Sequence, residues 1–416
     1  MENAGCAPAR PPSRYGCWNL FFALTSTVAF LLDLGTDLWM AARYMQAGHY
    51  LWGALVLGTL GLSSLAMQLL SWAWYQSDPP LPPERRRDGV SNAGLALLHV
   101  LQLGYLYRCL HALKEGWREC RSEAASETKH GYAAFLSHDI SMLRLFETFL
   151  ESAPQLTLVL YVILSTNKVE ISQGLGICTS FLCIAWSLLD YHKSLRDFLR
   201  DKQKLSFISS TLFFLWSLLL VCPRILVLAL FAAFFQFYIA VHFLCVWTAM
   251  LLWVWCQGTN FMESRAWEWL YRAGVAVILY FCWFNVAPGK TCCRSTIYHG
   301  FIFLDSAILA LSWFCVGDSY QLPVLLTALP CYVLGLVVKC TYYKWFHPTM
   351  QAKFQAEDEV AYDEVDHRNE EDVVFRQGPV PPSLVNRRMY TLSKNFYVDS
   401  PDGPSQANGA LMRLPP

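Results

Sequence analysis

Residues 139–161 read DISMLRLFETFLESAPQLTLVLY. The stretch is apolar enough to sit in a bilayer, yet it carries Asp139, Arg144, Glu147 and Glu151. Arg144, Glu147, Glu151 and Gln155 follow one another at three, four and four residues. A helix stacks such positions on one face, one turn above the next. Charge inside a membrane segment is costly and by default faces protein or a water-filled cavity. Two roles suit this stripe: an Arg144–Glu147 ladder that locks helices together, or a path for a polar substrate. Two carboxylates are more than one arginine neutralises, which favours the path. Pro154 removes an amide donor and predicts a bend or break in the helix.

Working outward, 55% of the 416 residues are hydrophobic and 15% are charged, with zero net charge. Several apolar runs reach the ~20 residues that span a bilayer. The chain is therefore expected to be an all-α polytopic membrane protein. Zero net charge gives no nucleic-acid footprint. Most of the fifteen cysteines lie in apolar segments, where they act as small hydrophobes. No CxxC pair or Cys/His cluster has metal-ligand spacing, so no metal or cofactor is expected.

In chain order, residues 1–17 form a short tail expected in the cytosol, 18–346 the membrane domain and 347–416 a regulatory tail. The first span, 18–40, holds Asp33 and Asp37 four residues apart, hence on one face. Further spans are expected at 50–75, 93–113, 171–189, 238–256, 267–286, 296–316 and 321–343. Asp190 ends the fourth of these eight, and Asp305 lies within the seventh. Arg85, Arg86 and Arg87 in one loop, and five basic residues in 193–204, favour the cytosolic side.

With residues 193–204 and the tail on one side, parity then requires one of the five apolar blocks between them not to cross. The block around Pro223 is the natural candidate, and the Pro154 block is treated likewise. Both are read as re-entrant hairpins, leaving eight spans with both termini cytosolic. This map puts residues 114–130, with four basic groups, on the other side, against the usual rule. Pro154 and Pro223, Thr179 and Thr248, and Trp186 and Trp255 match at an offset of 69 residues, which suggests an internal repeat. In that alignment Arg224 stands where Gln155 does and is a candidate complement to the acidic stripe.

The tail cannot span. Residues 357–372 contain nine acids and one arginine, a composition expected to stay disordered. Within it, Asp363, Glu364, Val365 and Asp366 form a caspase-3-type recognition sequence. Residues 385–397 mix Arg387, Arg388 and Lys394 with Met389, Tyr390, Leu392 and Phe396, a composition that docks on a membrane or on protein. No P-loop, HExxH or GxSxG motif is present, so an ATP-driven pump or a membrane hydrolase is not expected.

LLDLGTDLW (31–39), LLHVLQLGYLYRCL (97–110), the 139–160 stretch, GICTSFLCIAWSLLDYH (176–192), WVWCQGTNFM (253–262) and ILYFCWFNVAPG (278–289) resemble the XK-related membrane proteins. The resemblance implies caspase-activated, ATP-independent scrambling of phospholipids that exposes phosphatidylserine on apoptotic cells. It also implies a plasma-membrane location and a single-pass immunoglobulin-type chaperone of the basigin or neuroplastin kind. Moving a charged headgroup through hydrocarbon is costly, and a stripe of charges offers it successive partners. Asp33, Asp37, Arg144, Glu147, Glu151, Gln155, Asp190, Arg224 and Asp305 are the candidate steps. A transporter or channel for a small polar solute or ion would use the same charges. A purely structural membrane partner is the third possibility.

Overall fold

The computed structural model describes residues 17–78, 90–121, 132–166, 171–198, 205–287, 291–314 and 322–346. The caspase-type sequence and segment 385–397 lie outside the described residues, as does Arg85–Arg87. All regular structure among the described residues is helical. The helices are α1 (Cys17–Gln46), α2 (Tyr50–Ser77), α3 (Asn92–Val100), α4 (Gly104–Arg121), α5 (Tyr132–Glu147) and α6 (Ala153–Thr166). Then come α7 (Ile171–Phe198), α8 (Phe207–Phe235), α9 (Tyr238–Cys256), α10 (Arg265–Phe281), α11 (Thr291–Phe314) and α12 (Leu322–Thr341).

Among the described residues, eight helical rods are long and apolar enough to cross a membrane: α1, α2, α5 through α6, α7, α8, α9, α11 and α12. The all-α class and the number of spans agree with the sequence, but two members have changed places. Neither proline block is a hairpin. In an α-helix Pro154 leaves the Leu150 carbonyl without a donor. Over Thr148–Ser152 the ladder widens into one π turn, in which Ala153 N–H reaches Thr148 O, and the rod continues. Pro223 lies inside an unbroken α8 and deprives the Leu219 carbonyl in the same way. There α12 comes very close, since a Cβ on Gly335 would stand 3.0 Å from Leu219 Cβ and 3.1 Å from its carbonyl carbon. Close packing of a neighbour is what lets a proline persist in a membrane helix.

The true interruptions fall in two segments read as spans. Within 93–113 the chain stops at Gln102, whose φ is +62°. Leu103 N–H reaches Leu98 O at 2.8 Å and Gln102 N–H reaches His99 O at 3.1 Å. This is a Schellman ending with glutamine where glycine is usual. Gln68 of α2 seals the break: its Nε2 donates to Gln102 O at 3.0 Å, and its Oε1 accepts from Tyr105 N–H at 3.2 Å. Gly104 leaves room for the buried His99 ring, which a Cβ would meet at 2.5 Å. Gly104→Ala is expected to destabilise the protein by about 1–3 kcal/mol through overpacking, read as a lower melting temperature in detergent.

Within 267–286, α10 ends at Phe281 and Cys282 turns to extended backbone. Helix carbonyls that end in the interior need donors. Tyr298 Oη donates to Leu279 O at 2.8 Å, and Arg224 Nε donates to Tyr280 O at 3.2 Å.

The order of elements repeats. Two spans, an interrupted segment and two spans (α1 to α7) are followed by two spans, α10 with its extended end, and two spans (α8 to α12). This repeat runs over half the chain rather than at a 69-residue offset. At the centre stands α8, with 56% of its most apolar window buried, whereas α1 has only 6% buried and lies at the periphery.

Candidate functional site

The stripe forms where α1, α2 and the α5–α6 rod meet. Arg144 and Glu147 sit one turn apart, their Nη1 and Oε2 3.5 Å from each other. Arg144 Nη2 also lies 4.0 Å from Asp33 Oδ2, and Ser152 Oγ reaches the same oxygen at 3.4 Å. One turn along α1, Asp37 faces Glu151 and Gln155, and Ser63 of α2 stands beside Glu151. Thr148, in the π turn, ties the rod to α7 through Ser187 Oγ at 3.0 Å. Six predicted residues thus converge: Asp33, Asp37, Arg144, Glu147, Glu151 and Gln155.

The electrostatics of the cluster are unbalanced. Four carboxylates face one guanidinium. Arg144 Nη1 and Glu147 Oε2 have no hydrogen bond among the described residues, and their 3.5 Å separation exceeds a good hydrogen bond. A built-in ladder would be short and closed; this one is long and leaves capacity unused. It also opens outward. The Asp33 side chain is 34% exposed against 3% for Glu147, so the stripe runs from the margin of α1 into the interior.

Arg224 and Asp305 lie elsewhere and pair with each other, Nη1 to Oδ2 at 2.6 Å. Arg224 therefore does not complement the acidic stripe. Its Nη1 also donates to Ser306 Oγ at 3.0 Å, and its guanidinium lies 5.1 Å from the Tyr280 ring centre. His242 joins Asp305 Oδ1 at 3.0 Å to Tyr280 Oη at 2.9 Å. This cluster holds α8, α9, α10 and α11 together. Asp190 stands half-buried on α7, three residues beyond Ser187.

A third buried pair escaped the sequence reading. Arg108 Nη1 meets Asp139 Oδ2 at 2.6 Å. Its Nε and Nη2 donate to Ser71 Oγ and Ser71 O at 3.2 and 3.0 Å, and Tyr75 lies under the guanidinium at 3.9 Å. His242, Ser63 and Ser152 were missed as well. A neutral polar residue in an apolar run carries no signal of what stands across from it.

Comparison with known proteins bears on this arrangement. The XK-related protein family model matches residues 21–348. XK-related protein 8 of Pan troglodytes is 48% identical over 396 residues, 92% of this chain and 95% of the relative. The proteins of that name from Gasterosteus aculeatus and Tetraodon nigroviridis are each 43% identical, covering 93% and 92% of this chain and 98% and 97% of the relatives. The chain belongs to the XK-related family. Both charged clusters of this XK-related chain fall inside the matched residues. The caspase-type sequence at Asp363–Asp366 falls beyond residue 348, where the family model stops.

Proposed function

We propose that this XK-related protein is a caspase-activated, ATP-independent phospholipid scramblase that exposes phosphatidylserine on apoptotic cells. The observation that carries this is the stripe: four carboxylates and one arginine behind a peripheral, largely exposed α1. A headgroup entering beside α1 would exchange water for Asp33, Arg144 and Glu147, then Asp37 and Glu151, while its acyl chains stay in hydrocarbon. The first step offers a headgroup charges of both signs and the second offers acidic groups for its ammonium, each at lower desolvation cost than hydrocarbon. The reaction is transport, not catalysis, and calls for no metal or cofactor.

The crossing pattern supports both termini in the cytosol, and the plasma-membrane location follows from the family resemblance. If the eight rods cross and the α3–α4 and α10 segments return to the side they came from, residues 79–89, 114–130, 193–204 and 347–416 share one face. Arg85–Arg87, the four basic groups of 114–130 and the five of 193–204 then all lie inside. The misplaced loop of the simpler map disappears. The partners that go with this reading are those the family resemblance and the tail sequence imply: phospholipids, an effector caspase at Asp366, and a single-pass immunoglobulin-type chaperone.

The test is reconstitution of the caspase-cut chain in liposomes carrying a fluorescent lipid in both leaflets, with a membrane-impermeant quencher added outside. Quenching beyond the outer leaflet is expected. Glu151→Gln and Asp37→Asn should each slow it by on the order of tenfold, one lost interaction worth about 1.4 kcal/mol at the barrier. Surface level and elution profile should match the wild type. Variants that scramble normally, or that are retained in the cell as misfolded protein, would show the stripe to be a helix lock. A polar-solute pathway would leave the inner leaflet unquenched.

A further inference from the structure

Arg108, Arg144, Arg224 and Arg272 each lie within 4.0 Å of a carboxylate. Lys339, in the last turn of α12, is as deeply buried, at 7% exposure, yet its partners are neutral. Its Nζ donates to Ser295 Oγ of α11 at 2.8 Å and meets His299 Nε2 at 2.6 Å. An ammonium can only donate, so His299 Nε2 accepts. The ring proton then sits on Nδ1, which faces Tyr332 Oη at 3.2 Å. His299 is thereby neutral and supplies no compensating charge. The ring centres of Trp216 and Trp283, 5.0 and 6.0 Å away, offer π faces but no net negative charge. An ammonium has three donors; two are used, and no third acceptor is present among the described residues. A buried charge left in this state is costly unless a counter-charge arrives.

We propose that Lys339 and Ser295 form a binding site for the phosphate group of an anionic phospholipid. Depth and surroundings favour a lipid over a free ion. Ser295 is in the first turns of α11, and Lys339 lies about two turns before Phe346, where the rod that includes α12 ends. The ammonium therefore sits towards one end of both rods, within reach of a headgroup phosphate. Within two turns of it Ile297 is 57% and Val337 55% exposed, surfaces that acyl chains would cover. A phosphate oxygen would take the third N–H and the Ser295 hydroxyl, and its charge would neutralise the lysine. The inference needs only that α11 and α12 cross the membrane. It involves none of the stripe residues, so it can fail while scrambling stands.

Thermal unfolding of the full chain in detergent, stripped of lipid, tests this without any transport assay. Wild type should melt several degrees higher when phosphatidic acid is added, by mass action on the folded state. Phosphatidylcholine with the same acyl chains should give little shift. Lys339→Met should lose most of the phosphatidic acid shift, and Ser295→Ala part of it. Without lipid, Lys339→Met should melt no lower than the wild type, because no carboxylate is orphaned. Native mass spectrometry should show phosphatidic acid retained at least fivefold less by Lys339→Met. An equal shift in wild type and Lys339→Met would overturn the site. So would a Lys339→Met chain that melts far below wild type without lipid, which would make Lys339 a structural residue. Inorganic phosphate giving the full shift alone would overturn the lipid assignment.

Discussion

Arg224→Ala is expected to unfold the protein or trap it inside the cell. Removing one member of a buried pair leaves the other charge uncompensated, at about 3–5 kcal/mol, against a typical total stability of about 5–15 kcal/mol. Here the loss is compounded. Among the described residues Asp305 keeps His242 alone as a partner, the Tyr280 carbonyl at the end of α10 loses its donor, and Ser306 loses its acceptor role. Three helices are tied through this one guanidinium, and α9 joins them through His242. A second change at the named partner should restore part of the loss: Arg224→Met with Asp305→Asn should melt above Arg224→Ala and return some protein to the surface. Melting of the purified variants and surface labelling of cells would both report it. A double variant as unstable as the single one would mean that the carboxylate is not what the arginine needs, and that its bond to the α10 carbonyl carries the effect.

The stripe was legible because one helix carries it. Arg144, Glu147, Glu151 and Gln155 declare a common face by spacing alone, and Asp33 and Asp37 do the same on α1. Spacing gives the face but not the helix opposite, so the partners of Arg108, Arg224 and Lys339 could not be read. Those pairs join residues 31, 81 and 40 positions apart. The prolines misled for a related reason. Their missing donor is a local fact, while its remedy, a π turn before Pro154 or Gly335 pressed against Leu219, belongs to the register or to another helix. Conversely, the break at Gln102 carries neither proline nor glycine at its left-handed residue. What makes it tolerable is Gln68, more than thirty positions away.

Asp366→Ala is expected to abolish phosphatidylserine exposure during apoptosis, and a chain ending at Asp366 to expose it without any caspase. Caspases require aspartate before the cut, so alanine removes the cleavage itself. The described chain ends at Phe346, whose carbonyl accepts from Ser209 Oγ at 2.7 Å. The root of the tail is thereby fixed to the first turn of α8, beside Tyr342 and Phe213. Cutting after Asp366 spares this root and releases His367–Pro416, including 385–397 with Arg387, Arg388 and Lys394. We propose that this segment holds the closed state by docking at the cytosolic mouth. Tethering gives it an effective concentration of about 1 mM. Docking with a Kd of about 100 μM would then be about nine-tenths complete in the intact chain. At the micromolar concentration of a released peptide it would be almost absent, and the closed state would lose its bias. Annexin binding to cells expressing each variant, with surface levels matched and the chaperone present, reads both outcomes. If the truncated chain reaches the surface folded and stays silent, removal of the tail is not sufficient, and a second signal such as assembly or phosphorylation has to open the path.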